Sequence, residues 1–164
     1  STLGYLWSNI RLVTEEIDYV RYFDGATFVI NDNSHSHKGV SLGSFININD
    51  MESIPEDNTG NFAPYKNPLY MHEYGHYLQS QEYGWGFLIS VGIPSLFSVL
   101  TAEKLPNPPL SSHNEKWFER SANRKAKEYF GKNYGVDWNT PYVPPIYKNK
   151  MGYFKYTYES FYPL

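Results

Sequence analysis

The chain has 164 residues, a length that supports one domain with a substantial core. Its net charge is −3 and its basic residues are scattered, which argues against a nucleic-acid-binding surface. It contains no cysteine, so disulfides and thiolate metal sites are excluded, and any metal must be held by histidine and carboxylate. Tyrosine is abundant, with 16 residues, and we expect these amphipathic rings to form both the core and its rim.

The first strong pattern along the chain is a β-hairpin over residues 17–30. β-Branched and aromatic side chains are frequent on both sides of Asp24 and Gly25, a pair that is a strong turn signal. We therefore predict two antiparallel strands joined at this pair.

The next predicted strand, Val40 to Ile48, alternates apolar and polar side chains and lies between two loops. The loop before it, residues 31–39, contains His35 and His37. We interpret these histidines as solvated loop residues, with a contact to a second metal or to substrate as the alternative. The loop after the strand, residues 49–67, is unusually long, and long loops often carry function.

The strongest helix signal covers residues 68–83. Asn67 is suited to the N-cap, Pro68 to the first helical position and Gly84 to the C-terminal end. Gly75 lies inside this helix, where glycine costs about 1 kcal/mol relative to alanine. A close approach of another part of the chain to the backbone would explain a glycine at this position.

This helix carries the pattern His-Glu-x-x-His, which arises by chance in roughly one in a hundred sequences of this composition. His72 and His76 lie one turn apart on the same helix face, so their imidazoles can converge on one metal ion. Glu73 lies about 100° round the helix from His72, where it can reach a water on that ion without being a ligand. Because zinc lowers the pKa of such a water and a carboxylate accepts its proton, this pattern indicates a zinc hydrolase.

The longest apolar run, Phe87 to Leu100, is interrupted by Gly92 and Pro94 and carries several serines. It is too short for a bilayer span, so we predict a buried helix or loop and no integral membrane segment. The chain begins at Ser1 rather than at methionine, and we expect a processed protein. Export, or a place in the cell envelope after removal of a signal peptide, is favoured over a cytoplasmic location.

A second helix is predicted over residues 112–130, with Ser112 and Glu115 as a capping box and Gly131 as its end. One stripe of this helix combines small, apolar and polar side chains, and it consists of Glu119, Ala122, Asn123, Ala126 and Phe130. Small residues indicate a face packed against other structure. The Glu119 carboxylate therefore points inward and needs a partner, for which a metal ion is suitable.

Two histidines leave a catalytic zinc site one protein ligand short. Glu119 is the preferred third ligand because it is an inward-facing acid on a separate helix; His113 and Glu82 are the alternatives. The metzincin pattern does not hold, because Gln79 and Glu82 stand where it requires glycine and histidine. Asn123, one turn after Glu119, is placed to hydrogen-bond a ligand imidazole, and the competing interpretation is a buried amide bonded to backbone.

The sequence HEYGH, followed by a helix containing Trp117 to Asn123, resembles the gluzincin metallopeptidases, the thermolysin-like branch of the zincins. The resemblance covers roughly residues 40–130. It implies a set of site residues: the zinc ligands His72, His76 and Glu119, the general base Glu73 and the hydrogen-bond partner Asn123, where the better-known members have aspartate. It also implies that the strand Val40 to Ile48 is the edge strand that pairs with an extended substrate.

The chain departs from the gluzincin pattern in two respects. The given sequence is much shorter than typical members, and we expect no counterpart of their separate C-terminal helical domain within it. No residue matches the histidine or tyrosine with which those enzymes stabilise the oxyanion, and the candidates are Tyr142, Tyr147, Tyr153 and Tyr156.

Together these observations predict an α+β, zincin-like fold in a single domain over residues 1–164. A small antiparallel or mixed sheet would pack on the His-Glu-x-x-His helix and on a second ligand-bearing helix. The core would span about residues 17–131, and residues 132–164 would form an irregular wrap rich in tyrosine and proline. The predicted function is a zinc-dependent hydrolase with Zn²⁺ as its cofactor, a metallopeptidase acting on a peptide or protein substrate. The alternatives are an inactive, zinc-stabilised binding module with the same fold and a metal-free structural domain.

Overall fold

The structure is a computed structural model that describes residues 17–31, 38–49, 54–87, 89–90 and 117–137, together with Gly4. In this part of the chain a four-stranded mixed sheet packs with two long helices, so the fold class is α+β as predicted. The strands are β1 (Tyr19–Phe23), β2 (Ala26–Asn31), β3 (Lys38–Leu42) and β4 (Phe45–Asn49). The helices are α1 (Pro68–Tyr83) and α2 (Trp117–Tyr134), and a short 3-10 helix (Pro64–Lys66) precedes α1.

The sheet consists of two hairpins joined through a parallel pair of strands. β1 and β2 form the hairpin predicted over residues 17–30, and its turn residues Asp24 and Gly25 have φ values of 38° and 83°. Positive φ at both central positions is typical of the two-residue turn that matches hairpin twist. β4 pairs parallel with β2 and antiparallel with β3, so the strand order is β1-β2-β4-β3 and β3 forms one edge of the sheet.

The prediction of a single strand from Val40 to Ile48 is wrong, because the chain turns back at Gly43 and forms β3 and β4. Gly43 has φ of +66°, in the left-handed region that favours glycine. The alternating pattern was misleading because the β3 residues that face α1, Gly39 and Ser41, are small, whereas Val40 between them is 52% exposed. Of these two strands, β3 lies at an edge of the described sheet, opposite the edge formed by β1, and β4 lies inside it.

α1 matches the helix predicted over residues 68–83. The Asn67 side chain caps it by accepting a hydrogen bond from the Leu69 N–H at 2.9 Å, and Pro68 is its first residue. Gly84, with φ of +53°, follows its last residue. Because β3, β4 and α2 all pack against it, α1 is buried on most of its surface and forms the centre of the fold.

α2 extends one turn beyond Gly131, so the predicted helix end is wrong. The helix ends at Gly135, which has φ of +66° and donates its N–H to the Gly131 carbonyl at 3.2 Å. Residues 132–134 are therefore helical and do not belong to an irregular wrap. The Tyr134 ring stacks on Tyr65 with centroids 4.7 Å apart, and this tertiary contact stabilises the additional turn.

An aromatic core joins the sheet to both helices. Its fully buried members come from β2, β4, α1 and α2 and include Phe28, Ile46, Tyr70, Tyr74 and Phe130. Tyr74 has the amphipathic role expected of the tyrosines, because its ring packs in the core while its hydroxyl donates to the Asp24 carbonyl at 3.0 Å. This hydrogen bond holds the turn of the first hairpin against α1.

From residue 54 onward, the long loop predicted over residues 49–67 is not featureless. It contains a β-bridge between Glu56 and Phe62 and then the 3-10 helix, and Phe62 packs against the core.

Among the described residues, no helix combines the length and apolar character needed to cross a membrane. Several predictions fall outside the described residues: those on His35 and His37, on the capping box of Ser112 and Glu115, on most of the run Phe87 to Leu100, and on the segment from residue 138.

Candidate metal centre

Two imidazoles from α1 and one carboxylate from α2 meet in the interior. His72 and His76 lie one helical turn apart, with ring centroids separated by 4.9 Å. The Nε2 atom of each histidine lies 3.1 Å from Oε2 of Glu119. All three side chains are buried, and their nearest donor atoms lie within 4.8 Å of one another. The structure thus brings together the three residues that the sequence predicted as metal ligands.

The donor set fits a zinc ion in both chemistry and spacing. Zinc prefers imidazole nitrogen and carboxylate oxygen when thiolates are absent, and bonds of about 2.1 Å at tetrahedral angles place neighbouring donors about 3.4 Å apart. The two separations of 3.1 Å between histidine nitrogen and carboxylate oxygen are close to this value. The third separation, between the donor atoms of the two histidines, is no more than 4.8 Å, and binding of one ion would bring these side chains together around it.

The outer nitrogen of each imidazole is hydrogen-bonded to a side-chain amide. His72 Nδ1 lies 2.7 Å from Oδ1 of Asn123, and His76 Nδ1 lies 2.8 Å from Oε1 of Gln79. When an amide oxygen accepts from Nδ1–H, the lone pair of a neutral imidazole is on Nε2, which faces the centre of the cluster. The contact of Asn123 was predicted. That of Gln79 was not, although its position three residues after His76 on the same helix face is a usable signal.

The buried carboxylate determines the protonation of His76. Burial by itself would lower the pKa of this imidazole, but the adjacent Glu119 carboxylate more than compensates and raises the pKa to about 9. In the metal-free protein a proton therefore stays on His76 at neutral pH. A metal ion must displace that proton in order to bind.

Glu73 lies beneath the edge strand rather than in the His-His-Glu cluster. Its carboxylate is buried, and Oε2 accepts a hydrogen bond from Ser41 Oγ at 2.8 Å. The strand is so close that a Cβ built on Gly39 would lie 2.3 Å from Cγ and Oε1 of Glu73. The sequence analysis missed Gly39 and Ser41, because small residues in a strand carry no signal of what they contact.

The alternative third ligand on α1 points elsewhere. Glu82 is exposed and forms an ion pair with Lys125 of α2, so it is not part of the cluster. His113 and the four tyrosines considered for oxyanion stabilisation lie outside the described residues.

Close packing of the two helices at Gly75 positions the cluster. A Cβ at Gly75 would lie 2.2 Å from the backbone oxygen of Ala122 and 2.7 Å from its carbonyl carbon. This close approach explains a glycine inside α1. Since Glu119 and Asn123 are on the same helix as Ala122, the backbone contact also determines how far their side chains lie from the histidines.

We expect Gly75→Ala to destabilise the protein. Alanine gains about 1 kcal/mol of helix propensity, but overpacking against backbone that cannot move aside costs about 1–3 kcal/mol and occasionally more. The melting temperature should fall by several degrees, and zinc affinity should fall with it, as differential scanning calorimetry and a zinc titration can show. Gly86→Ala is the matched control, because an added Cβ there meets nothing within 4 Å. Equal melting temperatures for the two variants would contradict the proposed packing constraint.

Comparison with known proteins finds no relative for this chain: no protein-family model matches it, and neither a curated protein nor a solved structure matches it significantly.

Proposed function

We propose that this chain is a zinc-dependent hydrolase of peptide bonds with a zincin-like fold of the gluzincin type. The observation that carries the proposal is the convergence of His72, His76 and Glu119 from two helices, with Glu73 next to His72 along α1. The cluster offers three protein donors among the described residues. Three protein ligands are typical of catalytic zinc sites, whereas structural sites use four.

In this proposal His72, His76 and Glu119 hold the zinc ion. Bound zinc supplies a Lewis acid that polarises the scissile carbonyl and acidifies water. Glu73 accepts the proton of the attacking water and then donates it to the leaving amine. Ser41 Oγ lies 2.8 Å from both Oε2 and the backbone carbonyl oxygen of Glu73, so its one hydrogen is shared between two acceptors of the same residue and helps to orient the base before substrate arrives.

The position of β3 favours an extended peptide as substrate. β3 is an edge strand of the described sheet, and edge strands can add an extended chain through backbone hydrogen bonds. It also lies directly over Glu73, as the contacts of Gly39 and Ser41 show. A peptide paired with β3 would therefore run past the general base.

One observation favours a second candidate, an inactive binding module stabilised by zinc. His72, His76 and Glu119 are only 5%, 7% and 3% exposed, so the described residues leave a substrate little access to the cluster. Both candidates predict bound zinc, and they differ only in the hydrolysis of peptides.

The experiment combines metal analysis with a peptide library. We expect about one zinc per chain by elemental analysis, and cleavage of library peptides detected by mass spectrometry. Cleavage should stop when a chelator removes zinc and return when zinc is restored. Zinc without cleavage of any peptide would favour the binding module. A purified chain that takes up no zinc would overturn both candidates and favour the metal-free domain.

A further inference from the structure

Gln79 connects the two ligand-bearing helices through a single side chain. It lies on α1, three residues after His76, and is fully buried at 0% exposure. Its amide oxygen lies 2.8 Å from His76 Nδ1, while its amide nitrogen donates to the Phe118 carbonyl at 2.8 Å. Phe118 is in the first turn of α2 and directly precedes Glu119.

The contact with Phe118 determines which way round the Gln79 amide lies. A carbonyl oxygen can only accept a hydrogen bond, so the amide nitrogen must face Phe118 and the amide oxygen must face His76. The amide oxygen can in turn only accept, and therefore Nδ1 of His76 must carry the hydrogen. In the neutral imidazole this leaves the lone pair on Nε2, the atom that lies 3.1 Å from Glu119.

The amide that bonds to His72 is less firmly oriented than Gln79. Its Nδ1 lies 2.7 Å from Asn123 Oδ1, but the amide nitrogen of Asn123 is buried and has no hydrogen-bond partner in the described part of the chain. Among the described residues, no second hydrogen bond fixes the orientation of the Asn123 amide. Within the described part of the chain the two histidines therefore differ, because the amide bonded to His76 is hydrogen-bonded at both ends and the amide bonded to His72 at one.

We propose that Gln79 is a positioning residue of the metal centre that orients His76 for metal binding and ties it to the turn of α2 that carries Glu119. Losing Gln79 therefore has two separable effects. The imidazole loses its orienting acceptor, and the first turn of α2 loses its tether to α1. The inference rests on the proposed metal site but not on hydrolysis, and its test uses Zn²⁺ binding alone.

Two substitutions in the 164-residue chain separate these effects. Gln79→Met has a similar length and makes neither hydrogen bond, so zinc affinity should fall roughly 10- to 100-fold, as is typical when the partner of a metal-bound histidine is lost. Gln79→Glu keeps an acceptor for His76 Nδ1–H but has no N–H for the Phe118 carbonyl. Its zinc affinity should stay within about tenfold of the wild type, whereas its metal-free form should melt at a lower temperature than the wild type.

Zinc affinity is measured by competition with a chromophoric chelator, and melting of the metal-free proteins by circular dichroism. Ser80→Ala is the control for general loss of a buried hydrogen bond. Ser80 is the next residue of α1, and its hydroxyl lies 2.7 Å from the Tyr77 carbonyl and 3.2 Å from the Gly43 carbonyl, so its hydrogen bond goes to backbone rather than to a histidine. This variant should lose some thermal stability and keep wild-type zinc affinity.

The outcomes distinguish this proposal from the function itself. Unchanged zinc affinity in Gln79→Met, or equal losses in the Met and Glu variants, would overturn the positioning role while leaving the metal site in place. If Gln79→Met does not fold, the Glu variant decides alone: retained affinity with a lowered melting temperature supports the role, and any other result rejects it. A wild-type chain that binds no zinc would remove the proposed function together with this inference.

Discussion

Glu119→Ala is expected to purify with far less than one zinc per chain, while the wild type retains about one. The Glu119 carboxylate is the only anionic member of the described cluster. It lies 3.1 Å from Nε2 of both His72 and His76. Structural zinc sites with four ligands bind with about 10–16 kcal/mol, or roughly 2.5–4 kcal/mol per ligand. Loss of one ligand should therefore weaken binding by roughly 100- to 1,000-fold.

The measurement is elemental analysis after identical purification, followed by zinc titration of the metal-free proteins. Glu128→Ala is the matched control, because Glu128 is an exposed glutamate on the same helix. It should bind zinc as the wild type does. Undiminished zinc in Glu119→Ala would show that the third ligand is elsewhere, and His113 would then be the next residue to replace.

Glu73→Gln should retain zinc and the folded structure but lose peptide hydrolysis by roughly 100- to 10,000-fold, the usual contribution of a general base. Glutamine has the same shape, and its amide oxygen can still accept the hydrogen bond from Ser41 Oγ. What it cannot do is take a proton from water. The affected quantity should be kcat, measured with a peptide identified in the library screen.

Two further variants identify the cause of that loss. Glu82→Gln makes the same substitution at an exposed position of α1 and should leave kcat unchanged. Gly39→Ala keeps the Glu73 carboxylate but displaces it, because the new Cβ would lie 2.3 Å from Oε1. We expect Gly39→Ala to lower kcat while zinc content stays at the wild-type level. Full activity in Glu73→Gln would rule out Glu73 as the base.

Much of the candidate site could be predicted because its signals are local. The one-turn spacing of His72 and His76 determines that they share a helix face, whichever structure surrounds that helix. The stripe of small residues on α2 correctly indicated that Glu119 and Asn123 point inward, since such a stripe must be buried. The glycine at position 75 was also informative. Glycine inside a helix is destabilising relative to alanine, so its presence indicated that another part of the chain approaches the backbone there, as Ala122 does.

The errors arose where a pattern depends on the neighbouring element. The turn at Gly43 was hidden because the inward positions of β3 are Gly39 and Ser41 rather than apolar residues, and they are small because Glu73 lies beneath them. The end of α2 was placed too early because Gly131 resembles a helix stop, whereas the stacking of Tyr134 on Tyr65 supports another turn.

The sequence by itself determined the first hairpin, the extent of α1 and the choice of residues able to bind a metal, because these depend on backbone conformation and on spacing within one element. Only the tertiary structure decided that Gln79 bridges His76 to Phe118 and that the edge strand β3 covers Glu73. The contact of Gln79 with Phe118 and those of Glu73 with β3 join residues more than thirty positions apart. Such contacts are set by the packing of α1 against α2 and the sheet, and a one-dimensional pattern does not encode which surfaces meet.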